Sequence, residues 1–136
     1  MEILIKTTEP PKSIYTKCQK KFGKDIVDMD KGVVFTYGNT IYTKNKLPYA
    51  ILKHEEVHVK QQTEMGKTKW WNKYLEDDQF RFSQELEAHQ AEYKAYCEET
   101  KDRNKQAIYK QHIALRLSSP LYGKLITTQE ALKLIC

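Results

Sequence analysis

Two histidines, His54 and His58, stand four residues apart in the run His54-Glu55-Glu56-Val57-His58. On a helix that spacing projects both imidazoles from one face, about one turn from each other, so both can bind a single metal ion. Glu55, beside the first of them, is then placed to take a proton from a water that the ion has activated. Five residues therefore carry two nitrogen ligands and a carboxylate base, the parts of metal-assisted hydrolysis.

The helix that must present them reads from Pro48 to Gln62. Plotted at about 100° per residue, Lys53, Glu56 and Lys60 form one ridge, which is a solvated back. His54 and His58 lie opposite it beside Ala50, Ile51 and Gln61, with Glu55 on the shoulder and Val57 on the other flank. The histidines face the interior. Burying both, together with an inward-leaning Glu, would strand polar groups unless something joins them, and a metal does so.

A catalytic zinc takes a third protein ligand and keeps one position open for water. A second long helical pattern, from Gln79 to Thr100, offers Glu85, Glu87, His89 and Glu92. Phe82, Leu86, Tyr93 and Cys97 define its apolar face, and Glu85 and His89 flank that face. Glu87 falls with Lys94 and Glu98 on the opposite, solvated ridge and reads as a surface charge. Glu85 is the expected third ligand. His89, one turn on, would ligate directly or support a ligand, and Glu92 sits toward the edge of the same surface. Ala88, Ala91 and Ala95 form a small-residue stripe that lets another helix approach closely.

These residues resemble the gluzincin metallopeptidases, which take two His from one helix and a Glu from a later one. The resemblance rests on His54, Glu55 and His58 followed by Gln61, a Trp/Tyr-rich segment, and then Glu85-Leu86-Glu87-Ala88, over roughly residues 48 to 96. It is closest to minimal members of the type that carry H-E-x-x-H-x-x-Q and a downstream E-x-E-A. In the larger thermolysin-like enzymes an Asp one turn after the ligand Glu orients a ligand His; here His89 stands at that place. The metzincin pattern with a third His shortly after the motif is absent, since residues 59 to 84 contain no His.

The resemblance implies an α+β, minimal zincin-like fold, with a small N-terminal sheet or hairpin ahead of a mainly helical part carrying the metal site. It implies Zn2+ as cofactor, held by His54, His58 and Glu85, with Glu55 as general base in peptide-bond hydrolysis. Gluzincins also add a His, Tyr or Arg that stabilises the oxyanion. His89, Tyr93 and His112 are candidates for that role or for supporting a ligand, and Tyr109 and Arg116 are further donors; His112 shares a helix face with Ile108 and Leu115. Small lysine-rich zincins of this kind also occur among phage proteins, which keeps a non-catalytic, virion-associated or assembly role open.

The elements before the metal helix suit this reading. Glu2 to Lys6 alternates like a strand, Pro11 to Phe22 reads as a helix, and 33–37 with 40–43 flank Gly38-Asn39 as a hairpin. In zincins a strand beside the metal helix lends its free edge to an extended polypeptide substrate, and the hairpin of residues 33 to 43 would supply that edge or simply cover the core. After the second long helix, further helices are expected from about Asn104 to Leu117 and from Thr128 to Ile135, the last announced by the capping-box spacing of Thr127 and Glu130.

At 136 residues the chain suits a single domain, and no Pro/Gly/Ser linker divides it. Cys18, Cys97 and Cys136 are odd in number and form no C-x-x-C, which points away from a disulfide framework or a Cys zinc site and toward a reducing, cytoplasmic compartment. Met1 to Lys6 lacks the shape of a signal peptide, and no apolar run is long enough to span a bilayer, so no membrane partner is expected. The net charge of +5, with Lys67, Lys69 and Lys73 interleaved with Trp70, Trp71 and Tyr74, raises nucleic acid as a rival partner. The spacing of those aromatics fits packing of an amphipathic helix better.

Overall fold

The structure, a computed structural model, describes residues 2 to 136. Its sheet has three strands of three residues: β1 Leu4–Lys6, β2 Phe35–Tyr37 and β3 Thr40–Tyr42. The order is β1-β3-β2, with β1 parallel to β3 in the register Ile5↔Ile41 and β2 antiparallel to it in the register Thr36↔Ile41. Gly38-Asn39 turns the hairpin between β2 and β3, as its turn chemistry predicts. Strands this short are not stable alone. What holds them here are side chains reaching over from the helices that follow.

Antiparallel pairing alternates, so the peptide groups of Thr36 point away from β3 toward the outer edge of the sheet. That edge is occupied. The Thr36 carbonyl accepts from Gln62 Nε2 at 2.8 Å and from Trp71 Nε1 at 3.2 Å, and the Gly38 N–H donates to Gln62 Oε1 at 2.7 Å. Next to the helix that carries His54 and His58 the hairpin edge is therefore paired by the protein itself. The next residue of the same parity, Val34, lines the open cleft.

Helix α1, Lys12–Phe22, starts directly after Pro10-Pro11. Helix α2, Tyr49–Met65, starts after Pro48 and stops at Gly66, whose φ of +94° turns the chain into α3, Lys67–Glu76. Asp77 caps α4, Asp78–Glu99, and Asp102 caps α5, Arg103–Leu117, each by accepting backbone N–H groups of the first turn. Helix α6, Thr128–Ile135, carries the reciprocal capping box of Thr127 and Glu130. Short 3-10 turns stand at Met29–Lys31 and Pro120–Tyr122. The architecture is α+β, a small N-terminal sheet followed by a mainly helical body.

Burial divides into two apolar clusters. One is aromatic and joins α1, α3 and β2 through Tyr15, Phe35, Trp70, Trp71 and Tyr74, with Cys18 and Met29. The other joins α5 and α6 to α4 through Ile113, Leu117, Tyr122 and Ile135, packed on Phe82, Leu86 and Tyr93. Helices α2 and α4 make the most extensive contact in the molecule. Buried with them is a set of polar residues, His54, Glu55, His58, Gln61, Glu85, His89 and Glu92.

The α3 aromatics are thus core residues. Trp70, Trp71 and Tyr74 are buried, while Lys67 and Lys73 lie over the rings of Tyr37 and Phe80, each 4.9 Å from the centroid. Among the described residues this helix offers no exposed aromatic platform on which bases could stack. No described helix is long and apolar enough to cross a membrane.

Candidate metal centre

Because His54 and His58 are one turn apart on α2 and Glu85 faces them from α4, three ligand atoms converge. His54 Nε2 lies 3.2 Å and His58 Nε2 3.0 Å from Glu85 Oε1, and the two nitrogens are 3.2 Å from each other. All three residues are buried. Two lone-pair nitrogens and a carboxylate oxygen cannot share this space unless a cation, a proton or a metal ion, lies between them, and the set could hold a metal ion.

The protonation of these side chains says the same. Burial by itself would lower the pKa of His54, but the Glu55 charge and the hydrogen bonds to Glu85 and Glu92 outweigh it and bring the imidazole up to about 10. His58 is also raised, its burial outweighed by the Glu85 carboxylate. Burial would raise Glu85, yet His58 and His54 hold it well below the usual carboxylate range. Positive charge is strongly favoured at this point of the interior.

Each of these three side chains is held from behind. Nδ1 of His54 is 2.8 Å from Glu92 Oε1, Nδ1 of His89 is 2.9 Å from the same oxygen, and Tyr109 donates to Glu92 Oε2 at 2.5 Å. His58 Nδ1 is 2.9 Å from Gln61 Oε1. Tyr74 donates to Glu85 Oε2, which leaves Oε1 to face the histidines. Such outer partners orient metal-binding histidines by fixing the nitrogen that carries the proton.

His54, His89 and Glu92 form a second grouping of ligand type. It shares His54, whose Nδ1 is already engaged with Glu92, and its hydrogen bonds account for the arrangement as support for the first site. His89 Nε2 is buried and has no hydrogen-bond partner among the described residues. Burial lowers the pKa of His89.

Glu55 is buried more deeply than a shoulder position suggests. Thr36 of β2 donates to its Oε1 at 2.9 Å, and its Oε2 stands 3.8 Å from His54 Nε2. One oxygen is fixed and the other looks toward the ligands. The site opens into a cleft of about 540 Å³ whose walls include Val34, Leu47, Ile51, Tyr122 and Arg116.

Tyr122 reaches this cleft because its turn is clasped to α4. The buried Arg81 donates to the Tyr74 carbonyl at 2.6 Å and to the Leu121 carbonyl at 2.9 Å, and pairs with Asp78. Gly123, with φ +86°, passes so close that a Cβ there would stand 2.8 Å from Asp78 Cβ. Burial first, and then the Glu85 charge, raises the Tyr122 hydroxyl pKa, so it stays a donor. Arg116, exposed on α5, lines the same cleft, and the Tyr122 hydroxyl is the first cause of its raised pKa.

The structure thus brings His54, Glu55, His58, Glu85 and His89 together. It does not bring Tyr93 or His112 to them. Tyr93 is half-buried on another side of α4, beside the Cys97 thiol, with its pKa pushed up to about 12 by burial; His112 is exposed on α5 between Ile108 and Leu115. Glu92 stands at the centre of the ligand support instead of at an edge, and Tyr109 belongs with it. Thr36, Tyr74 and Tyr122 carry no motif that could have marked them, since each arrives through tertiary packing. Compared with known protein families, curated proteins and solved structures, the chain finds no match.

Proposed function

We propose that this chain is a zinc-dependent peptidase that holds its ion through His54, His58 and Glu85 and uses Glu55 as general base. The observation that carries the reading is the convergence of the three ligand atoms next to a carboxylate with one oxygen tied to Thr36 and the other turned toward them. Ligands about 2.0–2.1 Å from a tetrahedral ion lie roughly 3.3 Å apart, close to the separations here, and a set of two imidazoles and one carboxylate suits zinc. Bound there, zinc would acidify a water molecule and polarise a scissile carbonyl.

The chain's own residues would do the rest. Glu55 accepts the proton of the attacking water through its free oxygen and returns it to the leaving amine. Thr36 prevents that carboxylate from swinging onto the ligands. Tyr122 and Arg116 are the donors placed to meet negative charge that develops on the substrate oxygen in the cleft. An extended polypeptide would pass Val34, the first edge position of the hairpin that the protein leaves open.

The test is metal content together with cleavage of an unfolded protein. Chelation should abolish cleavage and zinc should restore it, and DNA at physiological salt should leave it nearly unchanged. Zinc retained with no cleavage of any polypeptide would move the chain to a structural or virion-associated role, and tight, salt-sensitive DNA binding without cleavage to a nucleic-acid module.

A further inference from the structure

The two histidines of α2 are anchored by unlike groups. His54 meets the carboxylate of Glu92, an acceptor only, whereas His58 meets the side-chain amide of Gln61 at 2.9 Å. An amide has an accepting and a donating end, and only the accepting end is compatible with a proton on Nδ1 and a free lone pair on Nε2. Something must decide which end faces His58.

Two acceptors on the far side decide it. Gln61 Nε2 lies 3.1 Å from the Gln84 carbonyl oxygen and 2.8 Å from Glu87 Oε1. Turning the amide over would set its oxygen against these two oxygens and its NH2 against the Nδ1 proton of His58, breaking every bond it makes. The oxygen therefore faces His58, Nδ1 keeps its proton, and Nε2 points its lone pair at His54 and Glu85.

We propose that Gln61 is a positioning residue that fixes the tautomer and ring angle of His58, and that Glu87, exposed on the outside of α4, holds Gln61 in the required orientation. The proposal rests on the metal-site reading for its purpose. Glu87 thereby acts on the site across two hydrogen bonds while touching no ligand, although its position on a solvated ridge reads as an ordinary surface charge.

The experiment measures zinc release from the purified chain into excess chelator, with the Nδ1–H proton resonance of His58 followed in zinc-loaded and metal-free protein. Gln61→Met, of similar size but without the acceptor, should release zinc about 10–100-fold faster, the range for losing an outer partner of a ligand. Glu87→Gln retains an accepting oxygen and should behave as wild type. Glu87→Ala should release zinc a few-fold faster. Glu87→Lys should be worse than Glu87→Ala, because an ammonium there attracts the amide oxygen and repels its NH2, turning Gln61 over. That difference should persist in about 0.5 M salt, which screens a simple surface-charge effect.

Wild-type release rates in Gln61→Met and Glu87→Lys, or equal effects of Glu87→Ala and Glu87→Lys, would overturn the proposal. If the wild-type chain holds no zinc, the peptidase reading fails, and the resonance in the metal-free protein decides this inference separately: its loss in Glu87→Lys upholds the orientation and its persistence overturns it. Glu87 is exposed, so its variants keep the fold in which this is read.

Discussion

The aromatic cluster beneath β2 and the polar set between α2 and α4 touch at Trp70, whose ring lies 5.5 Å from that of His58, and both are buried. They are held by opposite means. Each large apolar side chain of the cluster gains about 1.5–3 kcal/mol from leaving water. In the polar set burial is a cost for every donor, acceptor and charge that lacks a partner, and so nearly every atom there has one. The cluster supplies stability, and the polar set uses some of it to keep charged groups out of water where they can act. Away from Tyr74, which belongs to the cluster and also donates to Glu85, a variant of the cluster should therefore act on folding and leave the chemistry, whereas a size-conserving variant of the polar set should act chiefly on the chemistry.

The largest effect should come from Glu85→Gln, which replaces a proposed ligand. Loss of a ligand should exceed the ~10–100-fold penalty of losing an outer partner, so zinc should wash out by elemental analysis and cleavage should vanish with it. Retention of zinc in Glu85→Gln, with loss in Glu87→Gln, would move the ligand to Glu87. Next, Glu55→Gln should keep zinc and the Thr36 hydrogen bond while turnover falls by at least ~10²-fold. Hydrolysis surviving at the wild-type rate would sink the general-base assignment.

On the other side of the comparison, Met29→Ala in the aromatic cluster should cost about 2–5 kcal/mol in denaturant unfolding. Zinc content per folded molecule should not change. Should Met29→Ala empty the site of metal, the two regions are not separable.

The smallest effect is on pH dependence, and it sharpens the comparison below about pH 9, where Cys18 and Tyr74 of the aromatic cluster, raised by burial from 9.0 and 10.0, keep their protons whether the chain is folded or not. His54, raised from 6.5 to about 10 in the metal-free fold, contributes stability that is fully present below 6.5 and lost as pH rises through about 10. Glu85 is depressed, so its contribution is present above 4.5 and lost as pH falls through its folded value. Chelator-treated protein should therefore melt at progressively lower temperature from about pH 7 to 10, and zinc-loaded protein, whose ligands have already released their protons, should shift less. Parallel melting curves for the two forms would contradict the metal-free protonation described above.

Much of this was legible in the sequence because helices obey a short period. The run from His54 to His58, the inward face of Gln61 and the choice of Glu85 over Glu87 as the inward carboxylate all follow from 100° steps along α2 and α4, and the structure buries them accordingly. The capping box ahead of α6 was equally local. Glu92 was harder to place, since its partner His54 is 38 residues away and the choice between edge and centre depends on how two helices cross. Tyr122 and Thr36 lie on a turn and a strand of three residues each, too short for any period, and are positioned by Arg81 and Gln62 from other elements. Gln61 was seen to face inward, but the acceptors that orient its amide come from a different helix.

Ala88 has one more consequence. It lies on the same stripe of α4 as Glu85 and Glu92, between the two carboxylates that reach across to α2, and it is completely buried. With a single methyl group between the helices, their backbones approach as nearly as side chains permit, and short glutamate arms suffice to meet the imidazoles. Ala88 thus works as a gauge block: the width of the gap is machined into the main chain and does not depend on flexible side chains to find it. A bulkier residue there would widen the gap for both carboxylates at once, and so this methyl, with no chemistry of its own, governs how closely Glu85 and Glu92 can approach the imidazoles.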